Sequence, residues 1–133
     1  MSMEFGLFIG GWVPDYLDGR NDAYEHERLI NETCIAEAGD RSNWKYVWVT
    51  EHHFLTEYSH ISASEIVMPH ILARTERIRV ASGIINVTPP VNHPARIAER
   101  VAMPDHLSNG RFDFGTGRGS STTEQGGFGI TDP

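Results

Sequence analysis

The chain has 133 residues, of which 39% are apolar and 22% are charged, and this composition is typical of one globular domain with its own core. Its formal net charge of -7 argues against a nucleic acid or an anionic membrane as a partner, because both attract basic proteins. The N-terminus lacks the features of a signal peptide, no apolar run approaches the roughly 20 residues of a membrane span, and the single cysteine cannot form an internal disulfide. These features predict a cytoplasmic protein.

Four stretches are predicted as β-strands. Each is short and rich in apolar, β-branched or aromatic residues. Their nearly continuous apolar character is typical of strands that are buried on both faces of a parallel sheet. The predicted strands are Glu4–Ile9, Tyr46–Thr50, Arg79–Val87 and Phe112–Gly115.

Two helical patterns lie between the first three strands. A capping box at Ser62–Glu65 predicts the start of the second helix, in which Pro69 predicts a kink or a late start. The first helix is predicted over Ala23–Ala38, with Ile30, Cys34 and Ala38 at four-residue spacing and Leu29 and Thr33 beside them.

A third helix follows the third strand. It is predicted to begin at Pro94, to kink or restart at Pro104, and to end at the Asn109-Gly110 cap. The tail Gly115–Pro133 is predicted as a long loop, because it is rich in Gly, Ser and Thr. Strands and helices therefore alternate at the spacing of about four βα units, which favours an α/β fold with parallel strands.

Polar residues and glycines follow the predicted strands. In a βα barrel the C-terminal ends of the strands form the functional face, so we expect these residues to share one site. The second strand leads into Glu51-His52-His53-Phe54, the third contains Asn86 near its end, and the fourth runs into Gly115-Thr116-Gly117-Arg118-Gly119.

The Glu-His-His sequence has two functional interpretations. Histidine and glutamate are common metal ligands, but adjacent side chains on a strand point to opposite faces, so a metal site is disfavoured. A histidine that donates or accepts a proton fits better. The glycine-rich segment after the fourth strand lacks the spacing of a dinucleotide fingerprint or a Walker A motif, although Arg118 could pair with a phosphate.

Taken in order, these segments resemble the bacterial luciferase-like family of flavin-dependent monooxygenases. The similarity covers nearly the whole chain and matches the N-terminal half of the family's TIM-type barrel, so residues 1–133 are expected to form a single partial domain. The segments that carry it are E-H-H-F at 51–54, the stretch from Ser82-Gly83 to His93-Pro94-Ala95-Arg96, Ala98-Glu99, D-H-L-S-N-G-R at 105–111 and F-D-F-G-T-G-R-G at 112–119.

The resemblance implies that reduced FMN binds at the C-terminal face of the barrel and that O2 is used to oxygenate an aldehyde or another small organic substrate. It implies that His52 is the catalytic residue, acting in proton transfer, and that Glu51 lies beside the flavin ring. It also implies that Gly83 and Ile84 support the flavin through their backbone, often with a cis peptide bond, and that Arg118 lies near the FMN phosphate. A flavin reductase is the implied partner.

Three departures from the family pattern matter. Pro104 stands where the family has an apolar helix residue, which is expected to destabilise the docking of the fourth strand. Light-emitting members carry a reactive cysteine where this chain has Gly117, which argues against light emission. Family members are more than twice as long, and a half barrel exposes sheet edges and an apolar face, so we expect a homo- or hetero-oligomer, binding of a complementary half, or poor folding.

Other interpretations remain open from the sequence. The chain could belong to a deazaflavin-dependent oxidoreductase of the same superfamily, which shares the barrel. It could also be a non-catalytic half-barrel fragment with a structural role. A metal-dependent hydrolase is a more distant alternative.

Overall fold

A computed structural model describes residues 3–14, 22–119 and 121–131 of the chain. Strands and helices alternate along most of it, as the sequence predicts. The helices are α1 (Asp22–Arg41), α2 (Ser64–Arg74), α3 (Pro94–Leu107) and α4 (Thr122–Gly127). The strands are β1 (Gly6–Ile9), β2 (Tyr46–Val49), β3 (Arg79–Ser82), β4 (Ile85–Asn86), β5 (Phe112–Asp113) and β6 (Thr116–Gly117).

Four strands form one parallel sheet in the order β1-β2-β3-β5, and β4 and β6 form a second parallel pair. One row of paired residues crosses the whole sheet from Leu7 through Val47 and Val80 to Phe112. Helices α1, α2 and α3 contact one another in sequence order and pack on the strands. This arrangement is part of a (β/α)8 barrel and confirms the predicted α/β half barrel.

The hydrophobic core lies between the sheet and the helices. Val47 and Val49 of β2 are fully buried in it, whereas Trp48 between them is 38% exposed and Phe8 of β1 is 72% exposed. The prediction that all strands are buried on both faces is therefore wrong for β1 and β2. The exposed face of β1 and β2, which carries Phe8 and Trp48, is the face that lines the interior of a closed barrel.

The predicted apolar face of α1 is wrong for its four-residue series, since Ile30 is 46% exposed and Cys34 is exposed, but Leu29 packs against the core and Thr33 is buried. The buried side of the helix also carries Ala36 and two acidic residues, Glu32 and Asp40. These polar groups have partners inside the chain, since a Glu32 oxygen accepts from the Gly11 amide at 3.1 Å. Hydrophobic periodicity cannot find a helix face that is buried through hydrogen bonds.

Both proline-containing helices run without interruption. α2 extends from Ser64 through Pro69, and α3 continues through Pro104, so neither the late start nor the restart occurs. Pro104 is buried within the helix, although proline lacks a backbone hydrogen-bond donor. The capping box before α2 is wrong as well, because Ala63 is the N-cap and no side chain caps it.

Two other predicted segments are divided differently in the structure. The third predicted strand is split into β3 and β4, and the peptide bond between Gly83 and Ile84 in the break is cis, as the resemblance implies. The predicted loop after Gly115 contains β6 and the short helix α4. Within the described residues, no helix has the length and apolar character needed to span a membrane.

Asp40, near the end of α1, holds the turn that leads from α2 into β3. Its carboxylate accepts backbone hydrogen bonds from Glu76 at 3.1 Å, Arg77 at 2.8 Å and Ile78 at 2.7 Å. Burial alone would raise the pKa of Asp40, but these hydrogen bonds and the charge of Arg77 outweigh it and lower the pKa below its ordinary value. The charged carboxylate therefore stabilises the folded chain.

Replacing Asp40→Asn is expected to lower the free energy of unfolding at pH 7 by about 2–3 kcal/mol, because the amide cannot accept all three donors. A lowered pKa gives stability that is present above the unfolded value of about 3.9 and lost as the pH falls through the folded value. The difference between the two proteins, measured by urea unfolding, should therefore shrink below pH 4. A difference that stays constant from pH 7 to pH 3 would contradict a charged role for Asp40.

Candidate functional site

A cleft of about 400 Å³ opens where β2, β4 and β6 end. This volume lies within the range of roughly 300–1,000 Å³ that is typical of small-molecule sites. The five residues that the sequence singles out all line it, namely Glu51, His52, Gly83, Ile84 and Arg118. Further lining residues include Phe8, Thr50, His53, Asn86, Gly117, Gly119, Glu124 and Phe128.

His52 is held by a carboxylate from the other end of the chain. Its Nδ1 lies 3.1 Å from Oε1 of Glu124, whose side chain is only 8% exposed. The same oxygen accepts a hydrogen bond from the backbone N–H of His53 at 3.0 Å, which fixes the carboxylate in place. When a carboxylate accepts from Nδ1–H, the neutral ring carries its lone pair on Nε2, where a proton can be taken up or released.

His53 forms a second carboxylate–histidine pair. Its Nε2 lies 3.2 Å from Oε1 of Glu51, and the other oxygen of Glu51 accepts from the Ser64 hydroxyl at 2.5 Å. Both histidines line the same cleft, although side chains that alternate along a strand would separate them. The alternation does not apply, because β2 ends at Val49 and the motif lies in the following loop.

Glu124 is a site residue that the sequence analysis missed, because it lies in the tail that was predicted as a loop. It stands in the first turn of α4, where the Ser121 side chain accepts hydrogen bonds from the amides of Thr123 and Glu124 at 3.1 and 3.3 Å. Ser121-Thr122-Thr123-Glu124 is a capping-box pattern, and this signal could have located the helix. Glu124, the last residue of this pattern, contacts His52 and is therefore part of the candidate site.

The cleft brings backbone close to any bound molecule. Gly83, Ile84, Gly117 and Gly119 contribute to its wall, and three of these four have no side chain. A Cβ atom on Gly117 would lie 3.0 Å from two carbons of Ile84, so glycine at this position leaves room for Ile84. A larger residue at this position would require Ile84 to move.

Arg118 is exposed on the wall that follows β6. None of the ion pairs found among the described residues uses its guanidinium, so it can pair with an anion in the cleft. In the same part of the chain, no group of three or more His, Cys, Asp or Glu side chains is arranged to hold a metal ion. The cleft thus combines an arginine, two oriented histidines and exposed backbone.

Comparisons with known proteins agree with the fold and the motifs. The family described as luciferase-like monooxygenase matches residues 3–133. The alkanal monooxygenase alpha chain of Photobacterium leiognathi is 40% identical over 70% of this chain and 25% of that protein. The oxygenase component of a flavin-dependent trigonelline monooxygenase from Acinetobacter baylyi is 27% identical over 92% of this chain and 32% of that protein.

A similar solved structure is the monooxygenase RslO1 from Streptomyces bottropensis. It superimposes with a TM-score of 0.83 and 26% sequence identity over 97% of this chain and 37% of that chain. This chain therefore spans only about a third of the length of the proteins that it matches, or less. The family match over residues 3–133 includes every residue that lines the cleft of this chain.

Proposed function

This chain belongs to the luciferase-like monooxygenase family, and we propose that it forms the flavin-binding wall of a monooxygenase. The enzyme would use reduced FMN and O2 to oxygenate an aldehyde or another small organic molecule. One observation carries the proposal: Glu51, His52, Gly83, Ile84 and Arg118 are distant in sequence but line one cleft. The cleft lies at the C-terminal ends of the parallel strands, which is where barrels of this type bind their ligands.

The residues of the cleft fit a flavin mononucleotide. A flat ring needs close approach of backbone, which the Gly83-Ile84 segment and Gly117 allow. A phosphate needs a cation, and Arg118 is exposed beside Gly119 on the same wall. We propose that Gly83 and Ile84 support the ring, that Glu51 lies beside it, and that Arg118 pairs with the phosphate.

Reduced FMN supplies the electrons that allow O2 to react with an organic substrate. The role that we propose for this chain is to hold the flavin, to move a proton and to limit the access of water. His52 is the proton carrier, because Glu124 orients Nδ1 and leaves Nε2 for exchange. His53 is held at its Nε2 by Glu51, whose other oxygen accepts from the Ser64 hydroxyl.

The partners of the whole protein follow from the family. We propose that a flavin reductase supplies the reduced cofactor and that the functional form is a homo- or hetero-oligomer. Exposed apolar side chains on the helices are consistent with association, since Ile66 is 68% exposed, Met103 is 62% exposed and Leu107 is 80% exposed. A deazaflavin coenzyme in place of FMN is the alternative within the same fold.

Titration of the purified chain into FMN tests this proposal through quenching of flavin fluorescence. We expect saturable binding that Arg118→Ala weakens about tenfold or more, because an ionic hydrogen bond to a phosphate contributes about 1.5–3 kcal/mol. Arg96→Ala is the matched control, since Arg96 is exposed on α3 and pairs with Glu99. Its affinity should equal that of the unchanged chain.

Two results would favour the alternative hypotheses. Absence of quenching at high micromolar FMN would support a non-catalytic half barrel for this chain. Tighter binding of a deazaflavin coenzyme than of FMN would support the hypothesis of a deazaflavin-dependent oxidoreductase.

A further inference from the structure

A continuous series of hydrogen bonds connects α2 and α3 to the backbone of Arg118. The Arg100 guanidinium donates to Oε1 of Glu65 at 2.8 Å and to Oδ1 of Asn92 at 2.5 Å. The side-chain amide of Asn92 then donates to the backbone carbonyl of Asn86 at 2.8 Å. Finally, Nδ2 of Asn86 donates to the carbonyl oxygen of Arg118 at 3.1 Å.

Asn86 is the point at which this series reaches the cleft. Its side chain is buried, and its Oδ1 accepts from both the amide and the hydroxyl of Thr88, at 2.9 and 2.6 Å. With every polar group of the side chain engaged, Asn86 has one available orientation. The carbonyl of Arg118 is therefore held by a fixed donor.

The loop that carries Arg118 is packed closely on this amide. Gly119 has a φ of +77°, and a Cβ atom there would lie 3.2 Å from Nδ2 of Asn86. The residue before Arg118 is held as well, because the carbonyl of Gly117 accepts a hydrogen bond from the Val87 amide at 2.9 Å. The backbone of Arg118 is thus fixed from both sides, while its own side chain is exposed.

We propose that Arg100 is a positioning residue for the phosphate of the cofactor, acting through Asn92 and Asn86 on Arg118. This inference rests on the proposed function, in which Arg118 pairs with the FMN phosphate. Arg100 lies outside the cleft, so its effect is on the geometry of the loop and not on a contact with the ligand. A preorganised cation binds a phosphate more tightly than one that must be ordered on binding.

The guanidinium suits this task because its two terminal nitrogens donate to different elements, while its Nε donates to the Arg96 carbonyl at 3.2 Å. One is directed at Glu65 on α2 and the other at Asn92 in the loop before α3, so a single side chain joins two elements. A lysine has a single nitrogen on a flexible stem and cannot reproduce this fork. The position therefore requires arginine for shape as well as for charge.

The test compares dissociation constants for FMN and riboflavin, which differ only in the phosphate. In the unchanged chain we expect FMN to bind about tenfold or more tightly than riboflavin. Arg100→Met keeps the apolar stem but removes all the guanidinium donors, and it should reduce the preference for FMN by about three- to tenfold with riboflavin binding unchanged. Asn92→Ala should also reduce the preference for FMN over riboflavin. The double variant should lower it little further, because both substitutions interrupt the same series of hydrogen bonds.

Arg96→Met is the matched control, one turn earlier on the same helix, and it should leave both dissociation constants unchanged. A general loss of structure in Arg100→Met would weaken riboflavin and FMN by the same factor, and that result would overturn the inference. An unchanged preference in both Arg100→Met and Asn92→Ala would overturn it as well. If the unchanged chain binds riboflavin and FMN equally, the phosphate role of Arg118 in the proposed function fails instead.

Discussion

Replacing His52→Ala is expected to lower the turnover of a catalytically active form of this protein by about 10²- to 10⁴-fold, which is the usual contribution of a general acid or base. The ring is oriented by a buried carboxylate, with Nδ1 of His52 3.1 Å from Oε1 of Glu124. Alanine removes the proton carrier but leaves the proposed flavin contacts of Gly83 and Arg118 in place. Flavin affinity should therefore change less than threefold, measured by fluorescence titration beside steady-state turnover.

Two further variants make this result specific. His70→Ala removes an exposed histidine from α2 and should leave turnover unchanged. His53→Ala removes the other histidine of the motif, which pairs with Glu51, and should have the smaller effect of the two site variants. Loss of turnover in His53→Ala with retention in His52→Ala would reverse the assignment of the proton carrier.

Replacing Gly115→Ala is expected to lower the free energy of unfolding more than any ordinary surface substitution, measured by the midpoint of urea unfolding. A Cβ atom at Gly115 would lie 2.1 Å from the backbone oxygen of Ser82, and a backbone atom in a central strand cannot move aside as a side chain can. The same two residues also exchange hydrogen bonds of 2.8 Å, from the Gly115 amide to the Ser82 hydroxyl and from that hydroxyl to the Gly115 carbonyl. We expect a loss of about 3 kcal/mol or more, a large part of the stability of a domain of this size.

Gly126→Ala is the matched control for this substitution. A Cβ atom at Gly126 would meet nothing within 4 Å, and the residue lies in α4. Alanine there should leave the urea midpoint unchanged or raise it slightly, because alanine favours helix over glycine by about 1 kcal/mol. A Gly115→Ala chain with the urea midpoint of the unchanged protein would show that Ser82 and Gly115 can separate without cost.

Short sequence patterns predict much of the fold. β-Branched and aromatic runs locate β2 and β3, and Pro94 with Asn109-Gly110 brackets α3 within two residues at each end. The ordered motifs identify the family, and with it the half barrel. All of these signals act over a few residues, which is why one sequence is enough to find them.

The site required more than these signals. Glu51, His52, Gly83, Ile84 and Arg118 could be singled out by motif, and the structure places them in one cleft. From the sequence, Asn86 is only a residue near a strand end, and Glu124 falls in a predicted loop. A hydrogen bond between residues 72 positions apart, such as the one from Glu124 to His52, leaves no local pattern.

The order of the βα units, the Glu-His-His motif and the family of the chain can thus be read from short segments of the sequence. The buried face of α1, the break in the third predicted strand and the carboxylate that orients each histidine become visible only in the folded chain. Propensity and periodicity act along the chain, whereas buried hydrogen bonds and the space available to a Cβ atom depend on residues brought together by folding.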